Sequence, residues 1–562
     1  DNSSPSAITI NGSRSGANEF TLDGAPNTGA QNGNVAYTPP TAMVEEFKIQ
    51  TATFDATQGY TPGAVVNISL KAGTNELHGS LHEFVQNTVL NANSFFSNKA
   101  GRSRDVNRQN RWGASGGGPV YLPGIYDGRN RTFWTYGYEG VADYFPRATI
   151  TMSVPTDAMR KGDFSSLLRA GPIYQIYDPK TIQTAPGGRT SRQPFAGNII
   201  PASRIDTVSP KILALYPQPN LPGTADGTNN WTSPNSDTDD FWSHVFRIDH
   251  NLSENHRAFL RANANQRYQR EQHRFNGGYG QSVWRRNQGA VLDDVYVFSP
   301  QFLMNARYSY TRYFQPNEPV SAGWDLTQYG FSSKFKNRIL SADPRALRLP
   351  HLVISGAPEL SSSNPSSSNA EVHSFALNLT RMVRGHTIRF GGEHRVYRNN
   401  NISLGRSAGD LSFSNNWTRG PLDNSPAAPT GQGLASFLLG LPTSGYIQSN
   451  DSLAQQAKVP SLYVQDDWKL TSRLTLSLGL RYELDLPLTE RFNRSVRGFD
   501  AAAALPIEAV VLASYAQNPI PDVPASQFRV RGGLTFAGAG GQPRTLWEAD
   551  KKNFAPRIGI AC

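Results

Sequence analysis

The sequence predicts an all-β fold, in which a small α+β remnant precedes the antiparallel sheet of a transmembrane β-barrel. Two observations predict it. Segments of about ten residues alternate apolar and polar side chains, as tilted membrane-spanning strands do. The links between these segments alternate strictly between short and long. Short periplasmic turns and long extracellular loops are typical of outer-membrane barrels. A soluble sheet with one wet face alternates equally well, so the link lengths favour the barrel.

The composition agrees with a strand-rich protein. Of the 562 residues 38% are hydrophobic, 17% are charged and 10% are aromatic, and the mean hydropathy is −0.48. Aromatic residues favour strands and are scarce in disordered chains, so we do not expect disorder. The sequence has no run of eighteen apolar residues, and it therefore predicts no transmembrane helix.

About twelve strands are predicted. The alternation is clearest in 474–483, where Leu476, Leu478 and Leu480 share one face, and it is poor in 291–298, where Asp293 and Asp294 interrupt both faces. The predicted strands lie near residues 76–87, 108–118, 130–141, 241–250, 256–268, 284–298, 302–314, 371–380, 387–399, 459–470, 474–486 and 553–561.

Short and long links alternate consistently along the chain. If the first strand rises from the periplasm, every tight turn falls inside and every long link falls outside. The predicted tight turns are 251–255, 299–301, 381–386 and 471–473, and the predicted long links are 143–240, 269–282, 315–370, 400–458 and 487–552.

Each strand should then present one face to lipid and the other to a polar lumen. Aromatic side chains collect at the membrane interfaces. Six residues are predicted to do so here, namely Trp134, Tyr136, Tyr138, Trp242, Trp468 and Tyr482.

Charge and cysteine content exclude other classes of protein. The net charge is +10, but the Lys and Arg residues are scattered, so we do not expect a nucleic-acid partner. The one cysteine is Cys562, and a single cysteine provides neither a disulfide framework nor a metal-binding spacing. The N-terminus has no signal-peptide pattern, and we expect a mature chain or a fragment.

No catalytic constellation stands out, so we predict no enzyme, cofactor or metal site. Asp237, Asp239 and Asp240 offer oxygen ligands for calcium, but a solvated acidic outer loop is the simpler interpretation. His244, His250 and His256 surround one hairpin without a cysteine or carboxylate at metal spacing, and they are expected to be wall or turn residues.

Several motifs occur in a characteristic order. They are Val44-Glu45-Glu46-Phe47, Gln58-Gly59-Tyr60, Pro62-Gly63, Val66-Asn67-Ile68 and Leu70-Lys71, followed downstream by Val154-Pro155-Thr156, Gly162-Asp163-Phe164-Ser165, Asn198-Ile199-Ile200-Pro201, Tyr463-Val464-Gln465-Asp466-Asp467-Trp468 and Leu478-Gly479-Leu480-Arg481-Tyr482-Glu483. In this order they resemble the end of the plug and the barrel of TonB-dependent outer-membrane receptors, in the Oar-like branch. The Arg-Gly-Pro common in that family is absent, and Gln50-Thr51-Ala52 lies there instead.

The resemblance implies a division of the chain near Gly73-Thr74-Asn75. Residues 1–74 would be the C-terminal part of the plug, and residues 75–562 the N-terminal portion of the barrel. The family barrel has 22 strands around a plugged lumen, so the chain would be a fragment with about twelve of them. It would lie in the outer membrane of a Gram-negative-type bacterium, in contact with lipid.

The resemblance also implies a function and two sets of site residues. The function is active import of a large, scarce solute, driven by a TonB-type periplasmic protein whose contact segment is missing from this chain. A plug apex at Asn27, Gln31, Asn32 and Asn34 would meet the extracellular solute. Glu45, Glu46 and Lys71 of the plug would face inward arginines of the wall, Arg389, Arg395 and Arg481, and these salt links would be released when the plug is pulled. The alternative for the three plug residues is a plain solvated surface of the plug.

Two alternatives remain open on the sequence alone. One is a surface structural or adhesion barrel without transport, and the other is a soluble secreted glycan-binding β-protein. The sequence does not identify the solute, because siderophores, cobalamin, oligosaccharides and peptides all fit.

Overall fold

The structure is a computed structural model that describes residues 9–10, 12–14, 16–29, 35–51, 55–59, 61, 63–99, 101, 104, 106–146, 150–233 and 236–561. It is mostly β, with two sheets that matter for function. None of the helices in the described residues is long and apolar enough to span a membrane.

The N-terminal sheet has four strands in the order β2-β1-β4-β3. Its strands are β1 (Glu19–Leu22), β2 (Ala25–Pro26), β3 (Val44–Gln50) and β4 (Val65–Leu70). The strands β1 and β4 pair in parallel, and the other two pairs are antiparallel.

A tight Asp23-Gly24 turn joins β1 to β2. Both residues have positive φ, 51° and 74°, as the hairpin turns that match strand twist require. Behind the turn, Leu22, Met43 and Leu70 form a small core.

The second sheet, called the large sheet here, is antiparallel and contains the twelve predicted strands in sequence order, β5 to β16. A thirteenth strand, Leu486–Glu490, pairs with β14. The bounds are β5 (His78–Asn87), β6 (Arg108–Pro119), β7 (Thr132–Pro146), β8 (Ser236–Ser253), β9 (His256–Arg274), β10 (Tyr279–Ser299), β11 (Phe302–Pro319), β12 (Ser366–Val383), β13 (His386–Ser403), β14 (Leu453–Lys469), β15 (Thr475–Glu483) and β16 (Phe554–Ala561). The prediction of a large antiparallel β-sheet is confirmed.

The strand lengths correct the prediction of about ten residues. The strands β8 to β13 have 18 to 21 residues each. They extend at the long-link end, where neither face needs an apolar pattern. The predicted link 269–282 therefore shrinks to 275–278, and Asp237, Asp239 and Asp240 lie in β8 rather than in an outer loop.

Paired carboxylates explain why 291–298 is a strand despite its poor alternation. Asp293 on β10 accepts a hydrogen bond from Nε of Arg307 on β11, at 2.6 Å, and Asp294 pairs with His256 at 2.6 Å. The first pair lies on one face of the sheet and the second pair on the other.

The inner face of the large sheet is the face that contacts the N-terminal sheet. The register places all six predicted interface aromatics on the opposite, outer face. His244 and His250 lie on this outer face of β8, as expected for wall residues.

Three long links and one short link fold together into a unit that we call the cap. It comprises the described residues of 147–235, 275–278, 320–365 and 404–452. Its main core contains buried side chains from all four links, among them Phe164, Ile212, Phe275, Leu352 and Leu438. These four links therefore share one core.

The remaining elements are short. The helices are α1 (Phe95–Lys99), α2 (Asp157–Arg160), α3 (Ser209–Leu213), α4 (Ser333–Ala342), α5 (Gln432–Leu438) and α6 (Glu508–Tyr515). The minor strands are Tyr121–Leu122, Tyr126–Asp127, Ile150–Met152, Tyr177–Ala185, Arg189–Pro194, Trp231–Ser233, His351–Ile354, Asp410–Phe413, Ser444–Tyr446, Val496–Ala504 and Arg531–Phe536.

Candidate functional site: the seam between the two sheets

The candidate site is the seam, the contact surface between the N-terminal sheet, with its connecting loops, and the inner face of the large sheet. Long inward side chains on successive wall strands reach across it. Three acidic residues of the N-terminal part, Glu19, Asp23 and Asp55, each meet an inward arginine.

Asp23 is the most enclosed of these acids. Its carboxylate lies 2.6 Å from Nη1 of Arg261 on β9 and 3.5 Å from Arg247 on β8. It also accepts a hydrogen bond of 2.8 Å from the main-chain N–H of Leu70. Arg261 donates a second hydrogen bond to the main-chain oxygen of Leu22, at 2.9 Å. The turn between β1 and β2 is thus held by two arginines from neighbouring wall strands.

Gly24 allows a third arginine to approach the same turn. A Cβ atom built on Gly24 would collide with the guanidinium of Arg307 on β11. Gly24 therefore serves two needs, its positive φ and the close approach of the wall.

Glu19 forms the second contact. Its Oε1 lies 2.8 Å from Nη1 of Arg395 on β13, and the Nε of the same arginine lies 2.6 Å from Glu393. Glu19 is buried, and burial raises the pKa of its carboxyl above the ordinary 4.5, although Arg395 opposes that shift. Two carboxylates therefore share one guanidinium at this point of the seam.

Asp55 and the residues after it form the third contact. Asp55 lies 2.6 Å from Nη1 of Arg389, whose Nη2 lies 2.6 Å from Asp467. The main-chain N–H of Ala56 donates to the side-chain oxygen of Gln465, at 3.1 Å. Arg481 donates to the main-chain oxygen of Ala56 at 3.4 Å.

The opposite end of the seam includes contacts between neutral groups. The hydroxyl of Tyr37 donates to the main-chain oxygen of His244 at 2.9 Å, and Ser243 donates to that hydroxyl at 3.0 Å. Met43 packs so closely on Gly137 that a Cβ atom there would overlap its side chain. Burial raises the pKa of the Tyr37 phenol, so this hydroxyl stays neutral.

The structure brings three of the predicted site residues to the seam, with different partners. Arg389, Arg395 and Arg481 contact the N-terminal part, but they face Asp55, Glu19 and the main chain of Ala56.

The predicted acidic and basic residues of the N-terminal sheet lie elsewhere. Glu45 and Glu46 are exposed on β3. Lys71 meets the wall through its main-chain oxygen, which accepts a hydrogen bond of 3.3 Å from the hydroxyl of Thr135.

The predicted plug apex is described only in part. Asn27 is 3% exposed, and its side-chain amide exchanges two hydrogen bonds with the main chain of Tyr37, at 2.8 and 3.0 Å. It therefore braces the loop. Gln31, Asn32 and Asn34 lie outside the described residues.

Sequence reasoning missed the acids of the N-terminal part. For Asp23 the sequence does contain a signal, because Asp-Gly is a usual dipeptide of a tight hairpin turn. The side chain at such a turn lies at the end of its sheet, where it can contact another part of the protein. For Glu19 and Asp55 the chain offers no local signal, because their partners lie hundreds of residues away.

Comparison with known proteins places the fold. Residues 69–562 match a family described as an outer membrane beta barrel domain. The outer membrane transporter YddB from Escherichia coli is similar in structure, with 11% identity and a TM-score of 0.50 over 86% of this chain and 51% of that one.

Two receptors align less closely. They are a ferric enterobactin receptor mutant from Pseudomonas aeruginosa (11% identity, TM-score 0.42, 87% and 54% of the two chains) and the siderophore receptor PirA from Acinetobacter baumannii (12%, 0.41, 87% and 53%). The chain spans about half the length of these structures. No curated protein matches the sequence.

Proposed function

Because the chain belongs to the outer-membrane β-barrel family, we propose that it forms part of a TonB-dependent active transporter that imports a large, scarce solute. The chain is a TonB-dependent-receptor-like protein of the outer membrane. In this proposal residues 1–74 are the C-terminal part of the plug, residues 75–562 are the N-terminal portion of the barrel, and a periplasmic TonB-type protein supplies the pulling force.

The charged seam is the observation that carries the proposal. The N-terminal sheet and its loops lie against the inner side of the wall, and ion pairs at Glu19, Asp23 and Asp55 join them to it. An apolar seam would resist separation in proportion to its area. Charged groups regain hydration when water enters between them. Ion pairs can therefore fix the position of the N-terminal part and still allow it to separate from the wall.

In two of the ion pairs the arginine also contacts a second carboxylate, which belongs to the wall. When Glu19 leaves, Arg395 keeps Glu393, and when Asp55 leaves, Arg389 keeps Asp467. Arg395 and Arg389 therefore do not become unpaired charges during movement. This arrangement lowers the cost of moving the N-terminal part, which suits a plug that shifts in every transport cycle.

The composition of the inner face above the seam favours a polar solute. Asn263 and Asn265 on β9 and Asn287 on β10 are buried on the inner face, toward the cap. The side-chain N–H of Asn287 donates to Asn265 at 2.7 Å, while its own side-chain oxygen has no hydrogen-bond partner among the described residues. Amide-rich surfaces of this kind suit ligands that both donate and accept hydrogen bonds.

A disulfide tether tests whether the N-terminal part must move. A Cβ atom built on Gly479 lies 2.9 Å from Cβ of Ala56 and collides with the side-chain oxygen of Gln465. A disulfide requires roughly 3.5–4.5 Å between Cβ atoms, so the bridge forms once the Gln465 side chain turns away and the two segments part by about 1 Å. The full-length protein carrying Ala56→Cys and Gly479→Cys, with Cys562→Ser to remove the natural thiol, should take up solute only after reduction. Uptake is measured as accumulation of candidate solutes by energised cells, with and without dithiothreitol.

The single variant Ala56→Cys controls for damage at the seam. Equal uptake by the oxidised and reduced double variant would contradict a moving plug. Energy-independent binding with no accumulation, in cells with and without the coupling protein, would instead favour the surface structural or adhesion barrel.

A further inference from the structure

The outer face of the large sheet carries a groove that the transport proposal does not use. It spans β12 to β15, has a volume of about 690 Å³ and is lined mainly by apolar side chains. Phe375, Leu377, Phe390, Leu462 and Tyr482 form its walls. All five belong to the outer face, so the groove opens toward the membrane.

A glycine and a proline create this groove. Residues that pair directly across neighbouring strands form a row. In one such row Gly392 on β13 lies between Leu377 on β12 and Leu462 on β14, and it contributes no side chain. One row nearer the cap, Pro460 lies beside His394. The outer face is therefore recessed between bulky neighbours.

A row of cations lies directly above the groove, on the cap side. Arg312 on β11 and Arg398 on β13 occupy one register row, on either side of Glu371. Lys458 on β14 lies diagonally beside Arg398 and is exposed. Neighbouring side chains orient both arginines, because Nε of Arg312 donates to Asn369 at 2.8 Å and Nε of Arg398 donates to Gln456 at 3.3 Å.

The height of this row matches the edge of a bilayer. The periplasmic girdle is marked by His386 stacked on Trp468, with ring centroids 5.0 Å apart. Arg398 lies twelve positions further along β13. At about 3.3 Å per residue and a tilt of roughly 40°, this corresponds to a rise of about 30 Å. The apolar band of such barrels is about 25 Å tall, so the cations lie at the level of the outer headgroups.

We propose that the groove and the cation row together bind an anionic lipid of the outer leaflet. Acyl chains would lie against Leu377, Phe390 and Leu462, and a phosphate of the headgroup would lie between Arg312, Arg398 and Lys458. Charge complementarity favours this occupant, because a zwitterionic headgroup gains less from three cations with one intervening carboxylate. The proposal depends on the outer-membrane location and is independent of transport.

The test measures lipid binding to the purified full-length protein. Native mass spectrometry gives the apparent Kd for phosphatidylglycerol and for phosphatidylethanolamine with the same acyl chains. The triple variant Arg312→Gln, Arg398→Gln, Lys458→Gln should bind phosphatidylglycerol on the order of a hundred-fold more weakly, about fivefold for each cation lost. Its affinity for phosphatidylethanolamine should change by less than about threefold, since that headgroup carries no net charge.

Two further variants separate the parts of the site. Arg381→Gln removes an exposed outer-face arginine at the periplasmic end of β12, and it should leave both affinities unchanged. Leu377→Gln should weaken both lipids, because it alters the groove and not the cations. Phosphatidylglycerol binding that is unchanged in the triple variant would overturn the proposal, as would full displacement of the lipid by inorganic phosphate.

Discussion

The substitution Asp23→Asn tests how strongly the seam holds the N-terminal sheet. It keeps the shape of the side chain and an oxygen that accepts from Leu70, but it removes the negative charge. The side chains of Asp23 and Arg261 are only 7% and 5% exposed, so Arg261 would be left as a buried charge without a carboxylate.

The expected cost follows from this burial. Removing one partner of a buried ion pair costs about 3–5 kcal/mol. The lower end of this range applies here, because Arg247 keeps its three hydrogen bonds with Asp249 and the asparagine oxygen still accepts a hydrogen bond. We expect a loss of about 3 kcal/mol in the free energy that docks the N-terminal sheet.

Hydrogen exchange of the full-length protein measures this loss. Amides of β1 and β4 should exchange roughly a hundred-fold faster, since about 1.4 kcal/mol corresponds to a factor of ten. The control is Asp127→Asn, which breaks an ion pair with Arg129 in which both side chains are about half exposed; exposed pairs contribute little. Exchange in β1 and β4 that is equally slow in both variants would refute the reasoning.

Three further predictions concern the pH response, the cap and the close contacts of the seam. Burial raises the pKa of Glu19, so protonation of Glu19 stabilises docking of the N-terminal sheet. This contribution is greatest below pH 4.5 and is lost as the pH rises through the raised pKa. Glu19→Gln should abolish this pH dependence, measured by hydrogen exchange between pH 4.5 and 8. Leu438→Ala removes a fully buried side chain from the cap core and should cost about 2–5 kcal/mol, so limited proteolysis should cut several cap links together. Gly137→Ala should loosen the N-terminal sheet by about 1–3 kcal/mol, seen as faster exchange, because Met43 occupies the required space.

Each of these predictions has a clear negative result. A pH profile that survives in Glu19→Gln would assign the titration to another group. Cleavage confined to the mutated link in Leu438→Ala would show that the links fold independently. The matched control for Gly137→Ala is Gly116→Ala on β6, where the nearest atom to a new Cβ lies 3.5 Å away, and equal exchange in both variants would contradict the packing argument.

The strand order and the faces could be predicted from the sequence, because both depend on local alternation. Leu476, Leu478 and Leu480 fall on the outer face, as the pattern indicates. The last six residues of β9, 269–274, are predicted as part of a link, because they are polar throughout. Once a strand leaves the apolar band, both of its faces meet polar surroundings and the alternation that reveals it disappears.

The cap and the acidic side of the seam could not be predicted for a different reason. Phe164 and Phe275 are isolated apolar residues in loop-like sequence and Leu438 ends the short helix α5, and only the folded chain brings them into one core. Glu19 and Asp55 likewise gain their importance from wall arginines more than 300 residues away. A single sequence contains no periodicity that reports such distant contacts.

The length of β8 to β13 sets where the protein meets its surroundings. At about 3.4 Å per residue and a tilt of roughly 40°, strands of 18 to 21 residues rise about 45–55 Å, some 20–30 Å more than the apolar band needs. The large sheet thus forms a rigid stalk that lifts the cap clear of the headgroup layer. An antibody or phage protein approaching the cell would encounter the cap first, while the seam stays sheltered far below it.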